Sequence, residues 1–150
     1  VMTTVHANSL FDVLGRFQHF DIDPFGLASA LNGVVVQRLL RRLCPHCASS
    51  RAPRGGDVRV LGSHAPQRPS HIPSSVGCSD CRQTGYKGRL VVAEVHEVDD
   101  RVRDLIVRRA SIAELREAMY AEHADTLLKR ALAQVLAGRT TLEEISRVVG

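Results

Sequence analysis

Cys44-Pro45-His46-Cys47 and Cys78-Ser79-Asp80-Cys81 hold every cysteine of this 150-residue chain, as two C-x-x-C pairs separated by residues 48–77. One such pair turns two thiolates toward a common point, and two pairs complete a tetrahedron. Four sulfurs suit Zn²⁺ and leave no coordination position open for water, which marks a structural ion rather than a catalytic one. Two disulfides would require an oxidising compartment, which nothing else in the sequence suggests. A thioredoxin-like redox pair would explain one C-x-x-C but not both. Cys44, Cys47, Cys78 and Cys81 are therefore read as the metal ligands, with His46 a spare donor inside the first pair.

The spacer is longer than is usual between the knuckles of a zinc ribbon. Residues 48–77 carry four of the six prolines and four glycines, and few apolar residues besides Val58, Val60, Leu61 and Ile72. Such a composition is expected to form a mobile loop tethered at both ends by the metal. A short element over Val58–Leu61 is the one exception considered.

Outside the spacer the apolar pattern alternates between strand and helix. Val1–Val5 is β-branched and reads as a strand, an abrupt start that suggests the C-terminal part of a longer protein. Ser9 or Asn8 can cap a helix with Leu10, Val13, Leu14 and Phe17 on one face. Asp23-Pro24 reads as N-cap and first residue of a second helix, which Asn32-Gly33 ends. Val34-Val35-Val36 is a continuous apolar run, expected as a strand buried on both faces. Residues 84–89 read as a turn, and Leu90–Val95 as a strand interrupted by Glu94. Four helices are expected after it, with Asp99 or Asp100, Ser111-x-x-Glu114 and Thr141-x-x-Glu144 as start signals and Gly138 as a stop.

Composition adds limits. Hydrophobic residues make up 44% and aromatics 4%, so the core must be aliphatic. The net charge of +4 permits contact with nucleic acid or acidic lipid without requiring either. No apolar run is long enough to span a bilayer, and the default expectation is a cytosolic protein. A free-standing zinc module that binds nucleic acid is a further reading. It draws on Arg41, Arg42, Arg51 and Arg54, with Tyr86 alone near the knuckles to stack on a base.

Several of these stretches occur together in a recognisable order. They are Thr3-Thr4-Val5-His6-Ala7-Asn8, Gln37-Arg38-Leu39-Leu40-Arg41-Arg42-Leu43 running into the first knuckle, and Cys78-x-x-Cys81-x-x-Thr84-Gly85-Tyr86-Lys87-Gly88-Arg89. Ala137-Gly138-x-Thr140-Thr141-Leu142-Glu143-Glu144 follows. Over almost its whole length the chain resembles the C-terminal portion of the ATPases of type II secretion and type IV pilus assembly, the general secretion pathway protein E family.

The resemblance implies an α/β fold: the C-terminal portion of a RecA-like P-loop ATPase domain, an inserted four-cysteine zinc module and a C-terminal helical bundle. The corresponding segments are 1–43, 44–88 (with loop 48–77) and 89–150. It implies that His6 lies in a histidine box near the γ-phosphate, where an imidazole can donate to phosphate oxygens. The family usually has Leu-His-Thr-Asn there, and this chain has Val-His-Ala-Asn. Asn8, Gln37 and Arg38 are candidate nucleotide contacts. Arg38 can equally meet an acidic neighbour or remain solvated.

By the same resemblance the parent is a hexamer on the cytoplasmic face of a bacterial inner membrane. It would use ATP and Mg²⁺ to push on a membrane platform protein and assemble pseudopilins or pilins. The chain itself contains no G-x-x-x-x-G-K-[ST]. This piece alone is therefore expected not to hydrolyse ATP. The tetracysteine form fits secretion and pilus-extension ATPases and disfavours the retraction type.

Overall fold

In the computed structural model, residues 1–7, 9–20, 22–62, 69–120 and 125–149 are described. Two long strands, β1 (Gly33–Leu43) and β4 (Tyr86–Glu97), pair into a two-stranded sheet. Asn32 accepts from the Val98 amide and Gly85 accepts from the Cys44 amide, each at 3.0 Å, so the strands run antiparallel. Contacts divide the chain into two compact units. The first comprises residues 1–36 and 94–124, and the second 37–93 and 125–150. Each long strand gives one end to each unit. The units are thus interleaved along the chain.

The first unit is built on α1 (Leu10–His19), α2 (Pro24–Ala30), α4 (Asp100–Val107) and α5 (Ile112–Met119). Ser9 caps α1 through the Asp12 amide, and Asp12 returns the bond to Ser9. Asp23 caps α2 with Pro24 at its first position, and Asp99 caps α4 through the Val102 amide. Ser111 and Glu114 form the expected reciprocal box at α5. Leu10, Phe11 and Leu14 of α1 join Ala28, Val102, Leu105, Ile106 and Leu115 in one aliphatic core.

The second unit holds β2 (Ser49–Arg51), α3 (Gly55–Leu61), β3 (Ile72–Ser74), α6 (Leu127–Leu136) and α7 (Leu142–Val148). Its core gathers Leu40 of β1, Leu61, Ile72, Val92 of β4, Ala131, Leu132, Val135, Leu142 and Ile145. Gly138, at φ +71°, follows α6 as expected and lets the Gly138 and Arg139 amides bond back into its last turn.

The structure departs from the sequence expectations in four places. Among the described residues no strand forms over 1–7, since a strand needs a ladder partner. Val34–Val36 is not buried on both faces: Val34 and Val36 pack inward while Val35 is 57% exposed. Tyr86–Arg89 belongs to β4 rather than to a turn. The spacer between the knuckles has structure of its own. Ser49–Arg51 pairs antiparallel with Ile72–Ser74, and Leu61 and Ile72 anchor the described part in the second core. Helices α4 and α5 fall in the first unit and α6 and α7 in the second.

Glu94 does not interrupt β4. It alternates inward with Val92 and His96, and both polar side chains are buried. The Tyr120 hydroxyl donates to Glu94 Oε1 at 2.8 Å, and burial and that carboxylate push the tyrosine pKa up to about 12. His96 Nε2 lies 3.1 Å from the same oxygen but is not aligned for a hydrogen bond, and its ring meets Tyr120 edge-on.

Candidate metal centre

Cys44 follows directly on Leu43, the last residue of β1, and its amide is fixed on Gly85. The chain then folds back, with the Cys47 and Ala48 amides both directed at the Cys44 carbonyl. The second knuckle turns more sharply. The Gln83 amide donates to Cys78 and the Thr84 amide to Cys81. Arg82 and Gln83 sit in the left-handed region at φ 54° and 63°. Gly85, at φ +77°, closes the turn where a Cβ would lie 2.6 Å from the Ser75 Cβ. Only glycine fits there without displacement.

The two turns bring all four sulfurs within 4.8 Å of one another. Cys44–Cys78, Cys47–Cys81 and Cys78–Cys81 are separated by 3.9, 3.7 and 3.7 Å. A tetrahedral ion with bonds of about 2.3 Å sets its sulfurs about 3.8 Å apart. The spacings therefore fit a single four-sulfur ion. They are far too long for a disulfide, and all four cysteines are free. These residues can hold a metal ion.

The sulfurs are not equivalent. Burial pushes the Cys47 thiol up to about 12, with the Cys81, Cys78 and Cys44 sulfurs adding to the rise against a bond from the Gly77 amide. Burial also acts against ionisation of Cys81. The Cys78 and Gly85 amides and the Cys47 and Cys78 thiols outweigh it and bring Cys81 down to about 6. The Cys78 and Gly85 amides each lie 3.2 Å from Cys81 Sγ. Backbone N–H groups thus solvate a sulfur that is shielded from water. His46 is not drawn into the cluster: its side chain is 67% exposed, with Nε2 3.6 Å from Asp80.

Arg41 and Tyr86, drawn on in the sequence as candidate nucleic-acid contacts, pack on each other next to the knuckles in sequence. The Arg41 guanidinium lies over the Tyr86 ring at 4.2 Å, and the Tyr86 hydroxyl bonds Thr141. Glu144, fully buried, binds the Arg41 backbone amide and side chain together with Arg147. Burial alone would raise the Glu144 pKa, but the hydrogen bonds from Arg147 and Arg41 hold it down at about 2. Sequence reasoning treated Glu144 only as half of a capping box. Thr141 does cap α7 through the Glu144 amide, while the Glu144 carboxylate turns away to the arginines. Arg51 forms a second tie, from β2 to Asp57 of α3 and Glu143 of α7.

The remaining candidate residues are dispersed between the units. His6 is exposed in the first unit, its carbonyl accepting from Arg16 at 3.3 Å. Asn8 lies outside the described residues. Gln37 is exposed and Arg38 half-buried on β1, in the second unit with the cysteines.

Two facing C-x-x-C turns at the ends of a strand pair thus define a protein with a four-cysteine cluster that could hold a metal ion. The comparisons with known proteins specify it further. The family described as "Type II/IV secretion system protein" matches residues 1–147, and the chain belongs to that family. It is 37% identical over 146 residues to the type IV pilus assembly ATPase PilB of Thermus thermophilus, covering 97% of this chain and 16% of that protein. It is 35% identical over 150 residues to type II secretion system protein E of Aeromonas hydrophila, covering 99% and 29%. The type II secretion system protein HxcR of Pseudomonas aeruginosa is 36% identical over 148 residues, covering 99% and 28%. The chain thus spans less than a third of the length of these relatives. Among the described residues, no helix is long and apolar enough to cross a membrane.

Proposed function

We propose that this chain is the C-terminal part of a secretion ATPase that drives pseudopilus assembly in type II protein secretion. The observation that carries the reading is the conjunction of family membership over residues 1–147 with the four-sulfur cluster. In the intact protein, residues 1–43 complete a RecA-like nucleotide-binding domain, with His6 sensing the γ-phosphate and Asn8, Gln37 and Arg38 near the nucleotide. Residues 44–88 form a zinc module and residues 89–150 a strand followed by a helical subdomain. Zinc is the metal that best fits four thiolates at these spacings, and it supplies a fixed crosslink between the knuckles. The parent acts as a hexamer at the cytoplasmic face of the inner membrane, with ATP and Mg²⁺ bound by segments this chain lacks. It pushes on a membrane platform protein and contacts no nucleic acid.

The test replaces Cys44 and Cys47 by serine in the parent and measures secreted enzyme in the medium. Loss of secretion with normal parent expression supports the reading; full secretion from a metal-free variant overturns it. This chain, purified alone, is expected to show no ATP hydrolysis. A pilus-extension role is the second reading, favoured by the 37% identity to a pilus assembly ATPase. Loss of surface pili, with secretion intact, would select it.

A further inference from the structure

The cysteine cluster has a charged, partly exposed neighbour. Asp80, between the two cysteines of the second knuckle, places Oδ2 3.9 Å from Cys44 Sγ. Lys87 of β4 reaches across and sets Nζ 2.7 and 2.8 Å from the two carboxylate oxygens. His46, between the cysteines of the first knuckle, adds Nε2 at 3.6 Å from Oδ2. Asp80 is thus held by residues on two sides, with its carboxylate beside the Cys44 sulfur.

This arrangement has a consequence once a metal is bound. Four thiolates around a divalent ion carry two net negative charges. A carboxylate 3.9 Å from one of those sulfurs is then a like charge at close range, where Coulomb repulsion is substantial even in a polar surrounding. Lys87 straddles both carboxylate oxygens and offsets that charge.

Resting on the reading that the four thiolates hold zinc, we infer that Lys87 is a positioning residue of the metal centre, acting through Asp80 to balance its charge. Groups beyond the direct ligands typically change metal affinity by about 10- to 100-fold. At a partly exposed site the lower end applies, so Lys87→Met should weaken zinc retention about tenfold. Asp80→Asn alone should retain zinc as tightly as the unaltered chain or more so. Asp80→Asn in the Lys87→Met background should restore affinity to within about threefold, because the charge left uncompensated is gone. Lys87→Arg should retain zinc almost fully, since it keeps the charge.

The experiment is competition for zinc between the purified 150-residue chain and a chromogenic chelator, at low and high salt. The cobalt(II) spectrum of each variant reports whether four sulfurs still bind. The expected result is a tenfold Lys87→Met defect that shrinks at high salt and is reversed by Asp80→Asn. A Lys87→Met protein that holds zinc as the unaltered chain does would overturn the inference. So would a double variant as weak as Lys87→Met, which would make Lys87 a mere tether. An unaltered chain that holds no metal would instead overturn the zinc reading itself.

Discussion

Replacing Glu144 by alanine should destabilise the second unit more than any other single polar change there. The carboxylate is fully buried and accepts five contacts. These come from the Arg41 amide (2.8 Å), Arg41 Nε (2.8 Å) and Nη2 (2.7 Å), and Arg147 Nε (2.9 Å) and Nη2 (2.6 Å). Its pKa falls from an ordinary 4.5 to about 2. Each pKa unit corresponds to about 1.4 kcal/mol, so the charged form contributes on the order of 3 kcal/mol. Removing one member of a buried ion pair typically costs about 3–5 kcal/mol. Both arginines are about half exposed and can rehydrate, which places the expected loss near the lower end. The sign with pH follows from a depressed folded-state value. The contribution is fully present above pH 4.5 and is lost as pH falls through about 2. Urea denaturation of the metal-loaded chain at neutral pH, repeated across that acid range, measures both effects. Glu144→Ala should lose about 3 kcal/mol at pH 7 and have a flatter acid limb than the unaltered protein. A loss below about 0.5 kcal/mol, the range of ordinary surface changes, or an unchanged acid slope would refute the argument.

Cys44→Ser should lose bound zinc, from about one ion per chain to none by elemental analysis, and leave the second unit open to proteolysis. Leu40, fully buried in the second core, should cost about 2–5 kcal/mol when cut to alanine, whereas Leu39→Ala, half exposed on the same strand, should change denaturation by about 0.5 kcal/mol or less. Gly85→Ala forces a side chain into a left-handed backbone and against Ser75, so it should cost more than about 1–2 kcal/mol and also weaken zinc retention in the chelator assay.

Much of this fold was legible because its signals are local. A cap is settled within four residues, and Ser9, Asp23, Asp99, Ser111 and Thr141 all cap where the sequence places them. The cysteine pairs were legible for the same reason: each knuckle is a short turn whose only economical use is to converge two sulfurs. That the two knuckles meet was then fixed by chemistry rather than by pattern, since four isolated free thiols have no such purpose in common.

What was not legible depends on partners distant in sequence. Glu144 carries a perfect local capping signal, yet its carboxylate is taken by Arg41, more than a hundred residues away in sequence. Arg41 and Arg42 are adjacent and chemically identical, and nothing in the pattern says that Arg41 stacks on Tyr86. Glu94 reads as a break in an apolar strand until Tyr120 supplies a donor from another element. The residues 1–7 mark the opposite limit. Their β-branched composition is a real preference, but a strand is a pairing, and preference alone cannot supply the second strand. The histidine box inherits that limit. Its proposed role requires a neighbouring sheet and a bound nucleotide, so His6 has to be tested in the full-length parent, while the metal centre is testable in this chain alone.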